Sequence, residues 1–157
     1  MEKNPISPQG LARLHQELHN LKSVERPAII QQVATAREHG DLSENAEYHA
    51  AREKHSFIEG RIKELEDKVA RAEVIDPASV TGSRIAFGAR VTLTNLDTDE
   101  QITYRILGAD ETDLAHGIIG IASPLARALL GKEAGDEAKI RTPGGERSYE
   151  ITAVAYG

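Results

Sequence analysis

Asp41, Glu44 and Glu47 place three carboxylates within seven residues, beginning in the segment His39-Gly40-Asp41-Leu42-Ser43. Carboxylates at this spacing serve one of two purposes. Asp41 and Glu44 stand three apart, as in a capping box, and Glu47 adds favourable charge to the first turn of the helix that follows. The same oxygens suit a hard cation such as Mg2+. Two or three oxygens do not fill an octahedral shell, so metal chemistry here requires that another macromolecule supply the remaining ligands.

Other residues of chemical type have plainer readings. His15 and His19, with Glu17 between them, spell HQELH. The zinc-protease motif needs Glu directly after the first His, so these are expected to be solvated helix residues. His39, His49 and His55 crowd the same region, with His55 falling on an apolar seam. Arg37 and Arg52 lie six to nine residues on either side of Ser43–Glu44. They form either surface ion pairs with Glu38 and Glu53, which contribute little, or a small basic spot for a single RNA strand, which Lys54 extends. Ser123 has no visible base and reads as a helix cap. Gly144-Gly145 reads as a hairpin turn, since no helix with Lys and Ser/Thr follows it.

The elements that position these residues fall into two grammars. From Gln9 to Glu73 proline occurs once, at Pro27, and glycine only at Gly10, Gly40 and Gly60. Tyr48, Ala51, His55, Ile58, Ile62, Leu65, Val69 and Ala72 follow alternating steps of three and four, a sustained coiled-coil seam. Leu11, Leu14, Leu18, Leu21, Ile29, Val33 and Ala36 form the facing set. The step from Leu21 to Ile29 is one residue longer than a heptad and contains Pro27, which predicts a kink or phase change. Gly40 suits a helix stop, and the short connection forces the arms to pack antiparallel. About 30 residues per arm give a rod of roughly 45 Å, a reaching device. After Asp76 the chain reads as short strands: Arg90–Leu96, Gln101–Leu107, Ile118–Ile121, Ala138–Thr142 and Ser148–Val154. Ser123 as N-cap, Pro124 and the stop at Gly131 bracket one helix, Leu125–Leu130, mostly core, whose exposed start can dock a partner helix.

Composition narrows the classes. The chain has 157 residues, no Cys, no Trp, and aromatic residues at only 4%, so the core is expected to be aliphatic. Without cysteine there are no disulfides, thiolate metal sites or cysteine nucleophiles. The start, Met1-Glu2-Lys3-Asn4-Pro5, has no apolar run behind it, and no stretch reaches the roughly 20 apolar residues of a membrane span. A cytoplasmic protein is expected. Net charge is −6, with 11 basic against 13 acidic residues in 1–75 and 8 against 12 in 76–157. Neither half has the basic excess of a duplex-binding protein.

The run Ala36-Arg37-Glu38-His39-Gly40-Asp41-Leu42-Ser43-Glu44-Asn45-Ala46-Glu47-Tyr48-His49-Ala50-Ala51-Arg52-Glu53 resembles the tip signature of the bacterial Gre transcript-cleavage factors, GreA type. Glu59-Gly60-Arg61-Ile62, Val74-Ile75-Asp76, the run from Ser123 to Glu133, and Thr142-Pro143-Gly144-Gly145 match in order along the whole chain. The resemblance implies an α+β protein. Residues 1–75 form an N-terminal antiparallel coiled-coil hairpin with an acidic tip, and residues 76–157 a globular α+β domain similar to the FK506-binding-protein fold. It implies that this domain docks, through Ser123, Pro124 and Leu125, on a helical rim of the largest subunit of bacterial RNA polymerase, and that the hairpin enters the secondary channel. There Asp41 and Glu44 help hold a Mg2+ shared with polymerase and not bound in the free protein, while Arg37 and Arg52 contact the 3′ end of backtracked RNA. On this reading the protein is not itself an enzyme. It activates polymerase's own RNA hydrolysis, with neither membrane nor small-molecule substrate involved. Ser43 stands where many relatives carry Lys, and the scarcity of Lys and Arg on the hairpin looks like the GreA rather than the GreB type, with short RNA fragments as products. Two rival readings are a channel-binding inhibitor, against which the intact Asp41/Glu44 pair argues, and a peptidyl-prolyl isomerase or chaperone. The latter needs an aromatic-lined pocket, where residues 76–157 offer only Phe87, Tyr104, Tyr149 and Tyr156.

Overall fold

The computed structural model describes residues 2–40 and 45–156. By packing they form two units: residues 11–71, and the residues up to Gly10 together with those from Ala72 onward.

The first unit is a helical hairpin. Helix α1 (Pro8–Asn20) continues through a π-helical turn, Leu21–Glu25, into α2 (Arg26–Arg37), and α3 (Ala46–Ala70) returns beside them. Ion pairs between the arms, Lys22 with Glu66 and Arg26 with Glu59, run in opposite sequence directions, as antiparallel packing requires. Leu14, Leu21, Ile29 and Ala36 are buried against Tyr48, Ala51, Ile58, Ile62 and Leu65. The predicted irregularity between Leu21 and Ile29 is the π turn, in which the Arg26 N–H donates to the Leu21 carbonyl, five residues back. Each ring of a π turn takes one residue more than an α turn, which absorbs the surplus over a heptad and returns Ile29 to the seam. Pro27 follows in the first turn of α2.

Ala72, which the heptad spacing assigns to the seam, does not lie in the helix. α3 ends at Ala70, and Ala72–Val74 form β2, which pairs in parallel with β1 (Asn4–Ile6). This pairing puts both strands with the second unit, whereas the sequence reading places them within the hairpin at 1–75. Three-residue strands are too short to show alternation, and their pairing is visible only once the chain has folded back. Beside them, Glu111 is buried, and its carboxylate accepts from the backbone N–H of Ser7 and of Gly108 and from the Ser7 hydroxyl. Ser7 Oγ in turn accepts from the Gly10 N–H at 3.1 Å, capping α1. The carboxylate lies so near Gly10 that a Cβ there would collide with it.

The rest of this unit is a five-stranded sheet ordered β5-β4-β3-β7-β6, with β3 Arg90–Asn95, β4 Gln101–Leu107, β5 Ile118–Gly120, β6 Glu137–Thr142 and β7 Gly145–Ala155. Only β4 and β5 pair in parallel. A bulge between Thr92 and Leu93 of β3 and their β7 partners increases twist and curls the sheet. Val91, Leu93, Ile106, Ala138, Ile140 and Ile151 point to one face, where α4 (Pro124–Leu129) covers them with Ala126 and Leu129. The core is aliphatic, as the composition requires. The opposite face carries hydroxyl pairs, Thr92 with Thr103 and Thr94 with Thr152.

Leu65 is fully buried in the seam and Phe57, on the same helix, is 75% exposed. Leu65→Ala is expected to lower stability by about 3 kcal/mol through cavity formation, and Phe57→Ala to change it by less than about 0.5 kcal/mol. Urea denaturation of the two variants checks both.

Candidate functional site

The end of the hairpin at which the chain reverses is built around Asn45 and Tyr48. α2 gives way at Glu38, whose N–H bonds back to the Thr35 carbonyl, and Gly40 follows at a φ of +107°. α3 starts with Asn45 in an extended conformation, its Oδ1 accepting from the Tyr48 N–H at 3.0 Å. The same side chain donates through Nδ2 to the Ala36 carbonyl at 2.7 Å. One amide therefore caps the returning helix and ties it to the outgoing one. The sequence reading gives the capping role to Asp41 and Glu44, which lie outside the described residues. The observed cap is Asn45, a residue type as good at that position and immediately preceding the first helical residue. Glu47 is exposed in the first turn, where its charge favours the helix dipole.

Tyr48 is buried at the end of the seam, flanked by the small side chains of Ala36 and Ala51. Two guanidiniums converge on its ring: Arg37 from α2 at 5.9 Å from the centroid, and Arg52 from α3 at 5.7 Å. These are cation–π distances. The pair expected from its symmetric placement about the bend is thus brought together, and the shared ring is the part that spacing alone did not reveal. The heptad spacing assigns Tyr48 only to the seam. Among the described residues neither arginine forms an ion pair with Glu38 or Glu53. A hydrogen bond from Arg37, then one from Arg52, holds the Tyr48 hydroxyl below the ordinary tyrosine pKa against the opposing effect of burial. His49 stacks on Tyr48 at a tilt, with the rings 5.7 Å apart. Such an arrangement presents two adjacent cations with donor-rich planar forks, suited to a phosphate-bearing chain.

Farther along the hairpin the charges are paired. Arg26 meets Glu59 through two bonds of 2.8 Å, and Arg61 meets Glu17 at 2.8 and 3.0 Å, each joining one arm to the other. Arg26 and, less strongly, His55 depress the Glu59 pKa. His55, predicted on the seam, is half-buried with Nε2 3.4 Å from Glu59. His15 and His19 are exposed, and among the described residues no group of three or more His, Asp and Glu could hold a metal ion. Lys54 lines a shallow groove along the hairpin with Gln31, Thr35 and Glu47.

Ser123 caps α4 by accepting from the Ala126 N–H at 3.2 Å, Pro124 opens the helix, and Gly131 follows it at a φ of +83°. Ser123, Pro124 and Leu125 together line a groove of about 600 Å³ bounded by Leu114, Ala128, Ile140 and Pro143. The groove is mainly aliphatic and has no aromatic lining. Leu114 on its rim is 72% exposed. Phe87 is instead buried, and Tyr104 packs against the aliphatic core, so the aromatic pocket that a peptidyl-prolyl isomerase reading requires is not formed by these residues.

Two family descriptions match the chain in succession: "Transcription elongation factor, N-terminal" over residues 4–74, and "Transcription elongation factor, GreA/GreB, C-term" over residues 80–156. The chain is 57% identical to the transcription elongation factor GreA of Rhodospirillum rubrum over 157 residues, covering 100% of each protein. It is 60% identical to that of Ruegeria pomeroyi over 156 residues, covering 99% of each. Among solved structures it is similar to GreA factor homolog 1 of Thermus thermophilus, at 26% identity over 98% of this chain and 99% of that one, with a TM-score of 0.46.

Because the Tyr48 pKa is depressed, its ionisation stabilises the fold only as pH rises through the shifted value, fully above the unfolded one, and contributes nothing at neutral pH. Absorbance titration is expected to show an early tyrosinate phase that Tyr48→Phe removes and Arg37→Ala moves to higher pH. An early phase unchanged in Arg37→Ala would contradict the geometry.

Proposed function

The chain belongs to the GreA/GreB family of transcription elongation factors, and from that premise we propose that it binds bacterial RNA polymerase and stimulates hydrolysis of backtracked RNA by the polymerase's own active centre. The observation that carries this reading is the convergence of Arg37 and Arg52 on Tyr48 at the reversing end of the hairpin, one short connection from Asp41 and Glu44. A two-helix probe of this kind is narrow enough to enter a channel and presents cations for RNA near its reversing end, and the sequence of the connection supplies carboxylates for a metal.

The donor set fits Mg2+ in type and falls short in number. Asp41 and Glu44 offer the carboxylate oxygens that a hard cation prefers, and an octahedral shell leaves the other positions to polymerase, substrate and water. When bound, such a metal activates water and stabilises the leaving oxygen of an in-line phosphodiester displacement. This chain's own part is placement. Asn45 fixes the start of α3, and Arg37 and Arg52 hold the displaced strand by its phosphates, with Tyr48 fixing the two guanidiniums side by side. The aliphatic groove of Ser123, Pro124 and Leu125 supplies the docking face for a helical rim of polymerase's largest subunit, keeping the catalytic and anchoring tasks on separate units.

Replacing Asp41 and Glu44 together by Ala should leave polymerase binding within about twofold of wild type and abolish stimulated cleavage of stalled complexes. Wild-type rescue by that variant would refute the metal assignment. Arg37→Ala and Arg52→Ala should each reduce crosslinking to the RNA 3′ end, with Leu125→Asp weakening polymerase binding while leaving the hairpin's thermal stability unchanged. Undiminished crosslinking in the arginine variants would return both residues to a structural role on Tyr48.

A further inference from the structure

Arg90 on β3 and Arg105 on β4 are directly opposite each other in the antiparallel ladder. Residues facing each other across such a ladder project from the same face, and like charges so placed repel. Among the described residues no carboxylate forms an ion pair with either guanidinium. Between them the surface is concave: Arg90, Arg105, Thr103 and His116, with the backbone at Gly117, line a recess of about 260 Å³ that contains no acidic residue. His116 is held by Nδ1, 2.7 Å from Asp113 Oδ2, a carboxylate that is not among the residues lining the recess. In a chain of net charge −6, two opposed arginines without an acidic partner are a local sign reversal against the overall field.

We propose that this recess binds a phosphate group, through the forks of Arg90 and Arg105 with His116 as a third donor. Guanidinium forks match the oxygens of phosphate in pairs, and a bound dianion turns the repulsion between the arginines into shared attraction. The size of the recess, below the 300–1,000 Å³ of ordinary small-molecule pockets, suits a single phosphate group rather than a whole nucleotide. No exposed aromatic side chain lines it for base stacking, Tyr104 being half-buried against the core, so recognition rests on the phosphate alone. The site lies within the sheet unit and is independent of the hairpin end and of the function proposed for it.

The test is calorimetric titration of the full chain with inorganic phosphate in low-salt buffer, followed by a single-stranded RNA oligonucleotide and by polyglutamate. Wild type should bind phosphate, more weakly as sodium chloride is raised. Arg90→Gln and Arg105→Gln should each weaken binding by roughly tenfold, as the loss of charge-assisted bonds predicts. Arg147→Gln, which removes the same charge from an exposed position on β7, should leave it unchanged. RNA binding lost in the same two variants would identify a nucleic-acid phosphate as the source, and phosphate binding without RNA binding a free or terminal one. Absence of phosphate binding, equal weakening in all three variants, or binding of polyglutamate in place of phosphate would overturn the proposal. Amide spectra of the variants establish that they are folded, so a loss of binding is read on intact protein.

Discussion

A single line of Leu, Ile and Ala side chains between two helical arms holds the hairpin together, and everything at its reversing end depends on that line staying in register. The outer faces of both arms are mostly charged, with Val24, Ile30 and Phe57 as scattered exposed apolar residues among those described. Isolated helices of this length gain most of their stability from such packing rather than from propensity. Ile29, Ile58, Ile62 and Leu65 are close to fully buried. The inter-arm forks of Arg26 with Glu59 and Arg61 with Glu17 then restrict sliding, because a shift of one residue would rotate each donor away from its acceptor.

The seam also changes character along its length. Bulky Ile and Leu fill its middle, while Ala36 and Ala51 flank Tyr48 at the reversing end. Small side chains at this end leave room beside the Tyr48 ring, which arginines from opposite arms share. Tyr48 thus belongs at once to the core and to the candidate site. Its backbone N–H satisfies the cap, its ring ends the seam, and its hydroxyl and π face gather the cations. The π turn serves the same register from the other side of the hairpin, by returning Ile29 and then Ala36 to the inner face after the extra residue.

Much of this was legible before folding, because it rests on local periodicity. The heptad steps located the hairpin, Ser123 and Gly131 bracketed α4, and β4 was read at its observed limits of Gln101 and Leu107. Arg37 and Arg52 were paired by symmetry about the bend. What escaped depends on contacts distant in sequence or on competition between equally suitable residues. β1 and β2 are three residues each and exist only through mutual pairing. Asn45 and Asp41 are both good caps, and nothing local decides between them. The buried Glu111 is an unremarkable acid in the sequence, and its role emerges only when Ser7 and Gly108 meet it. The opposition of Arg90 and Arg105 is a matter of strand register, which composition does not encode.

The central claim is that the hairpin completes a metal site belonging to polymerase rather than carrying one of its own. Its most direct measurement is the rate of RNA cleavage in stalled elongation complexes, with and without this protein, across a Mg2+ series. The account predicts that the protein lowers the Mg2+ concentration for half-maximal cleavage and that the free protein cuts RNA at no concentration. An unchanged Mg2+ dependence, or cleavage by the protein alone, would contradict it.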